Sequence, residues 1–327
     1  FSMKKSLAFK LNFSNIWDRF STVFILILMI AVFGSLQPVA FLNASNMVKI
    51  VEQSSITILL ACGEFFAILL AGIDLSVSST MALTGVITAK LMVMGYPPTV
   101  AVLLGTVALG IFIGLVNSTL LNLTGLPPFV ITLGTQAILR GITVIIADAR
   151  AVVGIPPEFT LSVGGKLFGV IPMPIIIALV TALILTFFTL KTQAGRNLYA
   201  IGGNSLSAWF AGINTKMHVV LAYVISGVCA GLAGMVNIAR LGAAEPNAGT
   251  GYETFAVAAV VIGGTSFFGG QGLIPKVVLG GIIIGAINNG LNMIGVSSYY
   301  QQITMGAMII ATVTLDRFFG ASGKLRK

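Results

Sequence analysis

Ten apolar runs, near residues 22–42, 54–71, 79–95, 98–121, 128–147, 171–190, 218–238, 254–268, 276–295 and 300–316, divide the chain. Crossing a bilayer takes roughly 20 apolar residues per helix, because each segment must satisfy its own backbone N–H and C=O groups where no water reaches. The repetition therefore predicts an all-α polytopic membrane protein with about ten transmembrane helices. The third and eighth runs are short and adjoin glycine-containing polar turns, AGIDLS and GGTSFFGGQG. Both read as interrupted or re-entrant helices. Composition agrees: 8% of residues are charged, against about a quarter in soluble domains.

A formal charge of +9 would suggest nucleic acid for a soluble chain. Here the basic residues sit in a few loops and at the termini, which is a topology signal and excludes a nucleic-acid patch. Lys4, Lys5, Lys10 and Arg19 head the first run, with no apolar core and small-residue cleavage site of a removable leader, so the N-terminus is expected in the cytoplasm. An even number of crossings returns the C-terminus to the same side. Twelve of the 18 basic residues then face the cytoplasm, while Lys49, Lys90, Arg150, Lys166 and Arg240 lie outside and Arg140 lies within a run. The expected organisation is a cytoplasmic segment 1–20, one membrane domain 21–317 and a cytoplasmic tail 318–327. External loops are expected at 148–170 and 239–253, and a large cytoplasmic loop at 191–217.

That cytoplasmic loop, KTQAGRNLYAIGGNSLSAWFAGINTKMH from Lys191 to His218, holds a second kind of pattern. Asn204 is a candidate N-cap, and Leu206, Trp209, Phe210 and Ile213 recur on one face of a short helix ending near Gly212. Two readings fit the stripe: a lever covered by another protein, or an interfacial helix lying on the bilayer beside Lys191, Arg196 and Lys216.

The stretch GRNLYAIGGNSLSAWFAGI resembles the coupling loop of ribose-type sugar ABC importer permeases. AGIDLSVSS, LPPFVITLGT, RLGAAEPNAGTGYE, IGGTSFFGGQG and INNGLN resemble further motifs of that family in the same order, from near Asn43 to Asp316. The ribose and allose permeases look nearest. The resemblance implies a permease of the bacterial inner membrane that works as a homodimer with two ABC ATPase subunits and a periplasmic sugar-binding protein. It also implies that the chain carries no cofactor of its own, ATP and Mg being held by the ATPase. By motif, Gly195, Arg196, Gly203, Asn204, Leu206, Ala208, Trp209, Phe210, Gly212 and Ile213 would meet the ATPase. Glu245, Pro246, Gly251 and Glu253 would meet the binding protein.

The residues add candidates of their own. Glu64 and Asp74 are acids in apolar surroundings, where a charge is costly and points to a partner or a function. Asp74 fits a cap for the following helix; Glu64 fits a proton relay or an ion pair with Arg140. Arg140 suits a structural pair, an interfacial position or a substrate contact. Asn117 and Asn122, Thr135 and Gln136, and Asn288, Asn289 and Asn292 are neutral hydrogen-bonding groups suited to a passing polyol, although each also suits interhelical glue. Phe129 fits a hydrophobic gate or the core equally well.

No paired carboxylates at a workable spacing, nucleophile elbow, metal-ligand run or phosphate-binding loop occurs, so the chain reads as a transport subunit and not as an enzyme. The glycine pairs Gly110/Gly114, Gly227/Gly231 and Gly281/Gly285 predict close helix contacts. Cys62 and Cys229 read as buried apolar residues. The rival functions are an ion-coupled transporter using Glu64 and Asp74, and an ABC permease for an autoinducer or nucleoside.

Overall fold

The computed structural model describes residues 13–297, 300–304, 306–311, 313 and 314. Lys4, Lys5, Lys10 and the tail 318–327 lie outside the described residues. The chain opens with α1 (Phe13–Leu36) and the short α2 (Pro38–Phe41). Asn43 then accepts from the Ser45 N–H and starts α3 (Ala44–Leu69). A seven-residue break, 70–76, leads into α4 (Val77–Val93).

The next span is one continuous rod: α5 (Pro98–Ala101), a π-helical stretch Val102–Ala108, and α6 (Leu109–Thr124), closed by Gly125 in the left-handed region. Proline starts α7 (Pro128–Ile146) and α8 (Pro157–Gly164), since its fixed φ suits a first turn and its missing N–H is not needed there. A two-stranded hairpin, β1 (Lys166–Leu167) with β2 (Ile171–Pro172), runs into α9 (Met173–Lys191). The polar stretch that follows forms α10 (Gln193–Gly203) and α11 (Ser205–Phe210). Three further helices are α12 (Thr215–Leu241), α13 (Tyr252–Ile262) and α14 (Ile274–Met293). Helical residues continue at 300–304 and 306–311.

Among the described residues, six helices are long and apolar enough to cross a membrane. Three shorter apolar helices accompany them: Thr22–Leu36, α4 and α13. Both runs expected to be interrupted are among the shorter ones, and the expected count of about ten spans is not confirmed by the six long helices.

The centre of the bundle is α3 with α12, α13 and α14, while α4 and α6 pack on the other side of α12. Glycine brings these backbones together. A side chain at Gly110 or Gly114 would collide with the α12 backbone at Gly227 or Tyr223, and one at Gly231 with Thr106. Gly281 and Gly285 instead leave room for the Ile58 and Ser54 side chains of α3. All three expected glycine pairs therefore lie at helix crossings, where the missing side chain lets dispersion contacts between helices replace the absent water-driven force.

Candidate functional site: a seated lever and a buried acid node

The lever begins where Thr192 Oγ1 accepts from the Gly195 N–H and turns the chain out of α9 into α10. Asn204 Oδ1 accepts from the Ser207 N–H at 2.8 Å, so the expected cap starts α11. The helix stops at Phe210, with Gly212 at φ +82 carrying the chain out of it. Ala208 is buried, whereas Trp209 and Phe210 are 59% and 74% exposed and meet edge to face at 5.0 Å. Leu206 is exposed as well and Ile213 half-buried. A groove of about 350 Å³ is lined by Trp209 and by Gly212 to Lys216.

On its inner side α10 is fixed to the bundle. Gly195 and Leu198 are buried, Gly195 lying against the backbone of Phe188 and Thr189. Asn197 Nδ2 lies 3.2 Å from His218 Nε2, and His218 Nδ1 lies 2.7 Å from the Asn214 carbonyl. Those partners assign the Nδ1–H tautomer, with Nε2 accepting. Tyr199 Oη donates to the Gly272 carbonyl at 2.9 Å, and burial pushes its phenol up, which keeps the proton needed for that bond. Gly202 sits where any side chain would collide with Leu69 O and with Gly270. The Gly270 N–H in turn donates to Leu69 O at 2.9 Å. Both breaks in the bundle, after α3 and after α13, therefore meet under one end of α10. Arg196 and Gly203 lie exposed on the outer side.

The first break leads to the acids. Glu64 and Asp74 are buried, and Glu64 Oε1 accepts from the Asp74 N–H at 3.1 Å. Asp74 Oδ1 accepts from the Ser76 N–H and hydroxyl, and Oδ2 from the Ser226 hydroxyl at 2.7 Å. Asn117 Nδ2 donates onward to Ser76 Oγ at 2.9 Å. One carboxylate thus joins the start of α4 to α12 and, through Ser76, to α6. The N-cap of α4 is Ser76, so Asp74, two residues earlier, braces the break by holding the Ser76 N–H and does not fill the expected capping role. The expected Glu64–Arg140 pairing does not form: Glu64 bonds the Asp74 backbone, and Arg140 turns to carbonyls. Arg240 pairs with Glu52 at 3.7 Å.

Arg140 instead donates to the carbonyls of Pro246 and Ala248 at 2.8 and 3.0 Å. Both bonds leave Nη1, whose two N–H groups reach two carbonyls of one turn and so need no carboxylate partner. Val152 and Ala244 exchange backbone hydrogen bonds at 2.9 Å. The two loops expected outside are therefore tied together at one end of the bundle. Glu245 is exposed there, Pro246 buried, and Gly251, at φ +87, caps α13 just before the half-buried Glu253.

The amide set divides. Asn117 is buried on α6, and on α7 Thr135 bonds its own helix at the Ile131 carbonyl, Gln136 is half-buried and Phe129 half exposed. Asn122 bonds the Lys216 carbonyl. On α14, against the other side of α3, Asn289 exchanges two hydrogen bonds with Asn46 and Asn292 accepts from Gln301. Asn288 Oδ1 is buried with no partner among the described residues. The described contacts do not gather these residues on one face.

Sequence reasoning missed Tyr199, Gly202, Gly270 and Ser226. The doubled glycines Gly202-Gly203 and Gly269-Gly270 were the available signal, since adjacent glycines let two backbones touch. Ser226 had none, because a lone serine in an apolar run fits any helix contact.

The family model for the permease component of branched-chain amino acid transport systems matches residues 46–313. The chain belongs to this permease family. The permease is 54% identical to the D-allose transport system permease protein AlsC of Escherichia coli over 306 residues, covering 94% of each chain. It is 37% identical to the ribose import permease protein RbsC of Bacillus subtilis over 309 residues, covering 94% and 95%. Identity to the galactose/methyl galactoside import permease protein MglC of Haemophilus influenzae is 34%, over 90% and 92%. These relatives are transport components, not enzymes. No solved structure matches the chain.

Proposed function

We propose that this permease is the membrane-spanning subunit of an ABC importer that carries an allose- or ribose-like monosaccharide across the bacterial inner membrane. A separate ATPase drives it and a periplasmic binding protein feeds it. The observation that carries the reading is the lever: an exposed aromatic stripe on α11, joined to an α10 whose Gly202 end presses on both bundle breaks. A chain that holds no nucleotide can be worked by one that does if motion at Trp209 and Phe210 reaches the Leu69–Gly270 contact and, through the first break, Asp74.

In this reading Gly195 to Ile213 contacts the ATPase, and Glu245, Pro246, Gly251 and Glu253 contact the binding protein. The reading takes the six long helices, the three shorter ones and the helical residues after 300 as ten crossings, with both ends in the cytoplasm. Residues 21–317 form one domain, and two copies enclose the path. Phe129, Thr135 and Gln136 on α7 are offered to the sugar, and Asn117 on α6 joins them only through Oδ1, since its Nδ2 is spent on Ser76. The α14 amides, Asn288, Asn289 and Asn292, line the path only where they are not spent on neighbours.

Replacing Trp209 and Phe210 together by alanine tests the lever. Both are exposed, so stability should change by less than about 0.5 kcal/mol, while co-purification of the ATPase should fall sharply. An undiminished pull-down rejects the contact. The rival, ion-coupled reading draws on Glu64, whose Oε2 has no partner among the described residues. If the purified chain alone accumulates sugar in liposomes on a proton or sodium pulse, the ATP-driven reading fails.

A further inference from the structure

The hairpin between α8 and α9 exposes a run of apolar side chains at a place where water-facing residues would be expected. Leu167, Phe168, Gly169 and Val170 form its tip, with the Val170 N–H donating to the Leu167 carbonyl at 3.1 Å. Its base is closed by the Met173 N–H on the Gly165 carbonyl at 2.8 Å. Phe168 and Gly169 have φ of +51 and +72, the pair of left-handed residues that a tight hairpin turn requires. An aromatic residue is strained in that region, and Phe168 is 90% exposed, so no packing inside the chain offsets the strain. Val170 is 71% exposed, and Ile171 and Leu161 add to the same apolar surface.

The depth of the hairpin follows from its attachments. Gly164, at the end of α8, abuts the backbone of Ala239 and Arg240, in the last turn of α12. On the other side Pro172 is the N-cap of α9, whose Leu179, Val180, Leu183, Ile184 and Phe187 are all exposed and belong to a span with only 28% of its apolar window buried. The hairpin thus starts level with the ends of two long apolar helices and adjoins the exposed apolar face of one of them. Lys166 stands exposed on β1, where a long stem and terminal charge can reach a phosphate.

We infer that the 165–172 hairpin is an interfacial anchor, its Phe168–Val170 tip seated among the headgroups and first methylenes of the outer leaflet and Lys166 paired with lipid phosphate. A water-soluble partner would leave Phe168 and Val170 in water between encounters, whereas lipid covers them continuously. The anchor would hold the outer end of α9 at fixed depth while the other half of the bundle moves.

Phe168→Cys, carrying an environment-sensitive fluorophore on the full chain in lipid nanodiscs, tests this. Cys62 and Cys229 are buried, so unsubstituted chain serves as the labelling blank. Leu183→Cys on α9 reports lipid and Glu158→Cys, exposed in the first turn of α8, reports water. Quenching by lipids spin-labelled near the headgroup should be about threefold stronger at 168 than at 158, with iodide quenching reduced to match. Val170→Cys is the second reporter should the first variant fail to insert. Iodide quenching at 168 or 170 equal to that at 158 in the isolated permease overturns the anchor. Protection that arises only when a soluble binding protein is added overturns it too, and assigns the tip to that protein.

Discussion

Helices α3 and α9 are both long enough to cross the bilayer, yet the less apolar of them is the one inside the protein. The most apolar window of α3 has mean hydropathy 1.3 and is 83% buried, while that of α9 has mean hydropathy 2.5 and is 28% buried. In water the order would be the reverse. Lipid solvates leucine as well as a protein core does, so apolar side chains gain little by leaving it, and polar ones must find partners inside. Helix α3 carries Ser54, Ser55 and Glu64, each with a hydrogen bond to a carbonyl or an N–H, and meets Gly281 and Gly285 at its crossing with α14. Helix α9 offers leucine, isoleucine and phenylalanine to the outside.

The sharpest test of this contrast substitutes the same residue type in both helices. Phe66 on α3 is fully buried, edge to face with Phe65 and near Phe188, so Phe66→Ala should destabilise the chain by about 3–5 kcal/mol. Phe187→Ala on α9, where the ring is 65% exposed, should cost less than about 0.5 kcal/mol. Unfolding in mild detergent by increasing denaturant reads both, and equal costs would break the comparison.

A smaller effect is expected from overpacking. At Gly63 a Cβ would stand 3.0 Å from Cys229 Cβ and 3.0 Å from Ser226 Cα, so Gly63→Leu should cost about 1–3 kcal/mol and loosen α3 from α12. Gly141 on α7 has open space where its Cβ would stand, and Gly141→Leu should leave the midpoint unchanged. Ser226→Ala deletes the hydrogen bond to the buried Asp74 Oδ2 and should cost about 1–3 kcal/mol, because that oxygen loses its partner. Its use is functional: a drop in ATP-driven uptake much larger than the stability loss would place the acid node on the path from the lever.

Much of the fold was legible because bilayer length and glycine spacing are local properties. Segment positions, the Asn204 cap, the exposed Trp209–Phe210 stripe and the glycine crossings all follow from residues a few positions apart. The two short helices were legible from their glycine-containing flanks. Arg140 was not: an arginine in an apolar run signals that it needs acceptors, and carboxylates and carbonyls meet that need equally. Nor were the Asn289–Asn46 exchange and the split of the amides between the two sides of α3, because an amide alone does not say whether its partner is a helix or a sugar.

Local pattern therefore determined that this chain crosses a membrane many times and that α11 exposes an aromatic stripe. Tertiary structure alone decided that the breaks after α3 and α13 meet under Gly202, and that Asp74 joins α4 to α12 with α6 linked through Ser76. Those contacts join residues 41 to 201 positions apart, and hydrogen-bond partners at such separations are selected by how helices cross, which no window of sequence contains.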